Sequence, residues 1–262
     1  LLLFVSGFIL ALVLVAVMVL LFCQGKKAAA PRGEDTHRRQ LEELGKLTGG
    51  LAHEIKNPLS TIKINLKLIT EEADTEDQKF ARQLRKINIV QKEADRLEHI
   101  LDDFLRYIGR PQLQLALTDV NDLLSSMVDF YMPQARSRSI TIRLGLYKDP
   151  LICKIDPDMI KQVILNLLIN AQQAMPDGGE MIIRTDMYNK NATMEVSDTG
   201  CGIEPEKLDR IFEAYYTSRP GGSGLGLPTA KKIVEAHNGS ISVNSLPGKG
   251  TSFTISLSLQ SD

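Results

Sequence analysis

Residues 53–59 read His53-Glu54-Ile55-Lys56-Asn57-Pro58-Leu59, inside a stretch of helical periodicity spanning about 37–70. Leu44, Leu51, Ile55, Ile62, Leu66 and Ile69 recur at three- and four-residue intervals and mark its buried stripe. Each helical residue turns about 100°, so His53 stands roughly 200° from Leu51, on the opposite face. The imidazole is expected in solvent, with Glu54 beside it and Asn57 one turn on. An exposed neutral imidazole can attack phosphorus, and its other nitrogen must lose a proton as the N–P bond forms. A carboxylate at the next position can orient that nitrogen and take the proton, while Asn57 offers an amide to a water or a phosphoryl oxygen. A solvated His beside a Glu is also common on helix surfaces, so the pair alone leaves both readings open. Pro58 shifts the balance. Proline inside a helix costs roughly 3 kcal/mol and bends it, and a bend one turn past an exposed His implies a use. His37, His99 and His237 carry no such context; His237, in a last helical turn before Gly239, is placed to serve a carbonyl or the helix dipole.

Outward from this stretch, a break at 71–76 precedes a second helix over about 77–107. Its apolar stripe (Phe80, Leu84, Ile87, Ala94, Leu97, Leu101, Phe104, Ile108) is close to a heptad. Two long amphipathic helices with a short break make an antiparallel hairpin. One hairpin cannot cover both stripes; two form a four-helix bundle, so a homodimer is expected here. Gly109, Arg110 and Pro111 end the hairpin. Beyond them the pattern alternates: strands at 113–117, 140–146, 151–155, 180–187, 193–198, 239–245 and 250–259, and helices at 120–138, 157–175 and 227–237. Mixed strands with helices on one side give an α+β sandwich.

Three stretches of this second part suit a nucleotide. Asn166, Asn170 and Gln173 share one face of the 157–175 helix, while Ile160, Val163, Leu167, Ala171 and Ala174 line another. Amide oxygens suit magnesium, which keeps several waters and phosphate oxygens; the same asparagines could equally be satisfied by solvent. Asp198-Thr199-Gly200-Cys201-Gly202 ends a strand rich in β-branched residues. The Asp198 carboxylate can accept from the adenine amino group and would repel the guanine carbonyl. Gly200 and Gly202 leave room where a base approaches, although Asp-x-Gly is often only a turn. Gly222-Ser223-Gly224-Leu225-Gly226 runs directly into a helix, where backbone N–H groups can cradle phosphates. No Gly-Lys-Ser/Thr follows, so this is not a Walker loop. Residues 204–223 between the two glycine sets read as a lid. Gly248-Lys249-Gly250-Thr251 is by default a hairpin turn.

Taken in order over about residues 39–259, these pieces resemble the sensor histidine kinases of bacterial two-component systems. Residues 53–59 are similar to the family's H box, and Asn166 to Asn170 to its N box. Asp198 to Gly202, Phe212 to Thr217, Gly222 to Gly226 and Gly248 to Thr251 are similar to its first glycine box, F box, second glycine box and final glycine–threonine turn. The resemblance implies a dimerisation hairpin that carries the phosphoacceptor His53, followed by a Bergerat (GHKL) ATP-binding domain. It also implies Glu54 as base, Asn170 as magnesium ligand and Asn166 near the phosphates or the ion. Asp198 would hold adenine, and Gly200, Gly202, Gly224 and Gly226 would shape the pocket. The Glu54-to-Asn57 spacing further implies phosphatase activity toward a partner's phospho-aspartate, with Asn57 orienting water. Tyr215 and Tyr216 stand where a Phe pair is commoner and Arg219 where Lys is common; aromatic area and charge are retained. ATP and Mg2+ are the expected cofactors, and the receiver domain of a response regulator the expected partner.

Residues 1–22 are apolar apart from Ser6 and Gly7 and carry no charge. Roughly 33 Å of helix would cross a bilayer, and Lys26, Lys27, Arg32, Arg38 and Arg39 just after it place the following part in the cytoplasm. The expected organisation is a transmembrane helix at 1–23, a linker at 24–36, the phosphoacceptor hairpin at 37–110 and the catalytic domain at 111–262, on the inner membrane. Because the chain opens on Leu1 and not Met, an upstream sensor segment is expected as well. A net charge of −1 and the absence of Trp exclude nucleic-acid binding by bulk electrostatics or aromatic stacking. Cys23, Cys153 and Cys201 have no paired spacing and are expected to be small buried apolar residues. Two other readings stand beside the kinase: a catalytically inactive ATP-binding membrane receptor that scaffolds partners, and a Bergerat ATPase that drives clamp motion.

Overall fold

The computed structural model describes residues 51, 55–69, 76–109, 112–217 and 223–260. The expected span, the linker, His53, Glu54, Arg219 and Gly222 lie outside these residues. Among the described residues no helix is long and apolar enough to cross a membrane.

Two helices come first, α1 over residues 55–69 and α2 over Glu76–Ile108. Helix α1 runs through Pro58, which is buried, while Asn57 is exposed. Just beyond the proline, the Ser60 and Thr61 hydroxyls donate back to the Lys56 and Asn57 carbonyls at 2.8 and 3.3 Å. Of the expected stripes, Leu51 and Phe104 are buried and Ile55, Ile62, Ile69, Leu97 and Leu101 are partly so. Leu66 and Ile87 are not: both stand exposed, together with Leu59, Ile64, Leu68 and Ile89. Periodicity identifies apolar residues but not what covers them, and a single hairpin has too little partner surface for all of them. His99 is exposed and its Nδ1 lies 2.7 Å from the Asp95 carbonyl, a local surface contact.

The second part contains β1 (Ala116–Asp119), α3 (Val120–Ser137), β2 (Ile140–Gly145), β3 (Ile152–Ile155) and α4 (Pro157–Ala174). It continues with β4 (Gly179–Tyr188), β5 (Asn191–Asp198), α5 (Pro205–Leu208), α6 (Gly226–Ala236), β6 (Ser240–Leu246) and β7 (Gly250–Ser258). Only β1 departs notably from the expected bounds, starting three residues late. The reason is local: the Gln114 N–H donates to Asp156 Oδ2 at 2.8 Å instead of joining a ladder. The main sheet has the order β2-β4-β5-β7-β6, with β2 parallel to β4 and the other pairs antiparallel. A separate antiparallel pair joins β1 to β3.

Alternate residues bury one face of the sheet: Met181 and Ile183, Ala192, Met194 and Val196, Phe253, Ile255 and Leu257. Helices α3, α4 and α6 pack on that face through Leu124, Val128, Ile164, Leu167, Leu168 and Val234. The other face is polar, and there Glu195 Oε1 accepts from the Ser197 and Ser252 hydroxyls at 2.7 and 2.9 Å. This is the two-layer α+β arrangement that the alternation implies. Buried polar groups within the layer are paired. Thr185 Oγ1 donates to Asn121 Oδ1 at 2.6 Å, and the Tyr131 hydroxyl donates to Gln172 Oε1 at 2.7 Å. Burial pushes the Tyr131 phenol above its ordinary pKa, with Arg138 opposing. Cys153 is fully buried in β3, and burial, with the charge of Asp119, raises its thiol to about 11.

Asp156 is the N-cap of α4 and joins three segments. Its Oδ1 accepts from the Asp158 and Met159 N–H groups, both at 3.1 Å, and its Oδ2 from Gln114. Its own N–H donates to His237 Nε2 at 3.0 Å, which leaves the ring hydrogen on Nδ1 to serve the Ile233 carbonyl at 2.8 Å. His237 thus serves a carbonyl at the end of α6, as its position implies. Burial alone would raise the Asp156 pKa, but the three N–H donors and the nearby imidazole hold it below the ordinary carboxylate value. A carboxylate with a depressed folded pKa stabilises the fold above its unfolded value and loses that stabilisation as pH falls through the folded one. Urea midpoints measured between pH 5 and pH 2 should therefore fall more steeply for the unaltered chain than for Asp156→Asn. Leu168→Ala, at a fully buried position, should cost about 2–5 kcal/mol in the same titration at neutral pH.

Candidate functional site

Helix α4 carries the first elements. Ile160, Val163, Leu167, Ala171 and Ala174 are buried, as the pattern requires, and turn Asn166, Asn170 and Gln173 to the other side. Asn166 and Asn170 are half-buried and Gln173 is exposed. The structure gives Asn166 a protein partner: its Nδ2 donates to the Gly226 carbonyl at 3.1 Å. That bond ties the polar face of α4 to the glycine loop that opens α6.

Asp198 ends β5 and is buried. Its Oδ1 accepts from the Gly200 N–H at 2.8 Å, which fixes the carboxylate at the mouth of the loop. The final turn backs this arrangement. Asp198 is in register with Thr251 across the β5–β7 ladder. A Cβ on Gly250 would come within 1.8 Å of the Asp198 carbonyl oxygen, and Gly250 has φ +106°, so no side chain fits. The Gly248 N–H donates to the Cys201 carbonyl at 2.8 Å, locking the turn to the first glycine loop. Gly200 lies against Ala174 at the end of α4, and Gly202 against the Leu246 carbonyl. Protein packing therefore already requires small residues at both places. Cys201 departs from the sequence expectation: it is exposed, because the glycines on either side take the inward positions.

The start of α6 is the third element. Leu225 is buried and occupies the N-cap position, with no side chain capping the helix. Pro228 lies in its first turn and lacks an N–H, and the Leu225 N–H reaches Ser223 Oγ at 3.4 Å; a helix start with no side-chain cap is a setting that favours anions. Gly224 has φ +63°, its carbonyl accepts from the Tyr215 N–H at 3.1 Å, and a Cβ on it would lie 2.6 Å from the Tyr215 backbone. Tyr215 itself sits at φ +62°. This bond ties the middle of the expected lid to the glycine loop just past its end. Before the staple, Phe212 packs edge-on to Phe253 with centroids 6.5 Å apart, and Arg210 lies 4.3 Å over the Tyr216 ring.

Asp198, Gly200, Gly202 and Thr251 thus gather at one end of β5, and Asn166 meets Gly226 at the α4–α6 junction. Sequence reasoning missed Ser245, the buried hydroxyl that joins the two turns. It accepts from the Ile203 N–H at 2.8 Å, lies 2.9 Å from Thr251 Oγ1 and donates to the Gly250 carbonyl at 2.9 Å. No single-residue signal distinguishes it from Ser240 or Ser242 on the same strand; only the ladder register does.

A histidine-bearing helical segment followed by this two-layer domain defines a class. Residues 43–107 match the His Kinase A (phospho-acceptor) domain, and residues 155–261 match the histidine kinase-, DNA gyrase B- and HSP90-like ATPase family. The chain belongs to the bacterial two-component sensor histidine kinases. It is 36% identical over 222 residues to the sensor histidine kinase ZraS of Escherichia coli K12, covering 85% of this chain and 47% of that protein. It is 32% identical over 254 residues to sporulation kinase D of Bacillus subtilis, covering 96% of this chain and 49% of the relative. Among solved structures it resembles the histidine kinase ThkA in complex with the response regulator protein TrrA. The TM-score is 0.73 at 27% identity, over 87% of this chain and 65% of ThkA. The chain spans about half the length of the curated relatives ZraS and sporulation kinase D.

Gly250→Ala should lower stability by about 1–3 kcal/mol and weaken nucleotide binding together, because the strain falls on the Asp198 loop. Calorimetric melting and nucleotide titration of the same preparation check both.

Proposed function

We propose that this chain transfers the γ-phosphoryl group of ATP to His53 and then to an aspartate on the receiver domain of a response regulator. The supporting observation is the junction just described. Asp198 is held by Gly200, Asn166 holds Gly226, and the uncapped start of α6 lies beside them. These are an adenine acceptor and a phosphate-favouring helix start, each positioned by the protein's own hydrogen bonds. They lie in the same chain as the motif at 53–59. In the transfer, a ring nitrogen of His53 attacks the γ-phosphorus, the bond to the bridging oxygen breaks and ADP departs. The proton on the other ring nitrogen passes to Glu54. Catalysis rests on positioning and charge neutralisation. Among the described residues no three His, Cys, Asp or Glu side chains gather as a metal cage. A magnesium ion bound through the Asn170 amide oxygen would take its other ligands from phosphate and water and offset phosphate charge. The phosphoryl group of the phosphoramidate then passes to the regulator's aspartate, and Asn57, exposed on α1, orients water for hydrolysis of that phospho-aspartate to aspartate and inorganic phosphate.

The same reading makes the protein a homodimer, since Leu66, Ile87 and their exposed neighbours on α1 and α2 want a second hairpin. The receiver partner is supported by the ThkA structure, which contains a response regulator protein. Residues 1–22 are proposed as the membrane anchor, with the ATP-binding part on the cytoplasmic side.

Incubation with γ-labelled ATP and magnesium should give acid-labile, base-stable label on the chain, and His53→Gln should abolish it. Label that persists in that variant rejects the site. Asp198→Asn removes a charged hydrogen-bond acceptor worth about 1.5–3 kcal/mol, so ATP should bind roughly 10- to 150-fold more weakly by titration calorimetry.

A further inference from the structure

One row of side chains at the end of the main sheet breaks the pattern of the rows before it. Residues opposed on neighbouring strands share a face. Across β5, β7 and β6 the helix-facing rows are Met194–Ile255–Ile241 and Val196–Phe253–Val243, all part of the core. The next row is Asp198–Thr251–Ser245, polar throughout, and all three residues are buried. Burying three polar side chains in one line is costly unless each hydrogen-bonding group has a partner.

Each hydroxyl hydrogen in this row has one place to go. A serine hydroxyl carries one hydrogen and two lone pairs. The Ile203 N–H, 2.8 Å from Ser245 Oγ, can only donate and occupies one lone pair. The Gly250 carbonyl, at 2.9 Å, can only accept and takes the hydrogen. The third neighbour is Thr251 Oγ1, also at 2.9 Å. Ser245 has only a lone pair left for it, so Thr251 is the donor of that bond. The Thr251 hydrogen is thereby spent inside the protein, and its oxygen keeps lone pairs alone. Beside it the Asp198 carboxylate is an acceptor too, fixed by the Gly200 N–H at 2.8 Å.

We infer that Ser245 is a positioning residue for base selection. By taking the Thr251 hydrogen it makes Asp198 and Thr251 an acceptor-only pair, which admits a 6-amino purine and rejects a 6-oxo purine. The inference rests on the reading of Asp198 as the adenine acceptor and deepens it. An amino nitrogen whose hydrogens diverge by about 120° reaches two acceptors about 5 Å apart. Opposed side chains on neighbouring strands stand about 4.5–5.5 Å apart. Directly or through one bridging water, the Thr251 oxygen thus suits the second amino hydrogen. A 6-oxo group would set its oxygen against two others, and specificity comes from the repelled partner as well as the favoured one. Ser245 acts only through Thr251. Without it the Thr251 hydroxyl can rotate and offer its hydrogen to a carbonyl.

The test is calorimetric titration of the full chain in detergent with ADP and with IDP, whose base carries a 6-oxo group in place of the 6-amino group. The unaltered chain should prefer ADP. Ser245→Ala should shrink that preference roughly three- to tenfold, the worth of one oriented hydrogen bond. A purely structural role would weaken both ligands alike and leave the ratio where it was. Added to Thr251→Val, the same substitution should change the preference no further, because the hydroxyl it orients is already gone. If Ser245→Ala does not fold, Ser245→Cys, whose thiol is a weak donor and acceptor, takes its place in the cycle. An ADP-to-IDP ratio that the Ser245 substitution leaves unchanged overturns the inference. So does a shift of equal size with and without the Thr251 hydroxyl. An unaltered chain that binds ADP no more tightly than IDP overturns the adenine reading of Asp198, and the inference with it.

Discussion

Helix α4 has to face two ways at once. One side supplies Ile160, Val163, Ile164, Leu167, Leu168 and Ala171 to the layer beneath it, all buried. The other side carries Asn166, whose amide binds the Gly226 carbonyl, and Asn170 one turn on. Rotating the helix by one residue, about 100°, would drive asparagine amides into the sheet and expose leucine. The hydrophobic effect that holds the layers together thus also sets the aim of the polar side. Asp156 fixes the same helix lengthwise: its carboxylate stops α4 at a definite N-terminus, and its N–H binds the end of α6 through His237. Core and site are therefore positioned by one element.

The turn region at the far end of β5 works on a different principle. No large side chain is involved. Backbones of β5, β7 and the first glycine loop approach so closely that Gly250 has no room for a methyl group, and Ser245 threads hydrogen bonds between them. The Asp198 carboxylate is oriented by this packed backbone, and a preorganised acceptor loses little freedom when a ligand arrives. Several of the glycines read as making space for nucleotide thus make space first for the protein.

Most elements of the α/β part could be read from the sequence because period and punctuation agree there. Alternation along 180–187 and 193–198, Asp before Pro157, and Gly at 239 and 250 each mark a boundary that the backbone obeys. Helix α4 was legible in full, including which side is polar. What could not be read depends on partners distant in the chain. Leu66 and Ile87 carry the right periodicity, yet one hairpin leaves them in solvent. Cys201 resembles any small apolar residue until its neighbours Gly200 and Gly202 are seen to take the inward positions. Ser245 has no distinguishing local context; ladder register gives it its contacts. Asn166 was legible as a residue of the polar side of α4, but its bond to Gly226 joins positions 60 residues apart in the chain.

The contrast between Cys153 and Cys201 has a practical side. The first is sealed in the strand layer with its thiol raised to about 11, so at neutral pH it carries almost no thiolate. The second sits in the open three residues after the buried carboxylate of Asp198. Of these two, a maleimide dye or a trifluoromethyl tag at neutral pH will find Cys201 and leave Cys153 unreacted. The chain thus carries its own spectroscopic reporter at the rim of the first glycine loop.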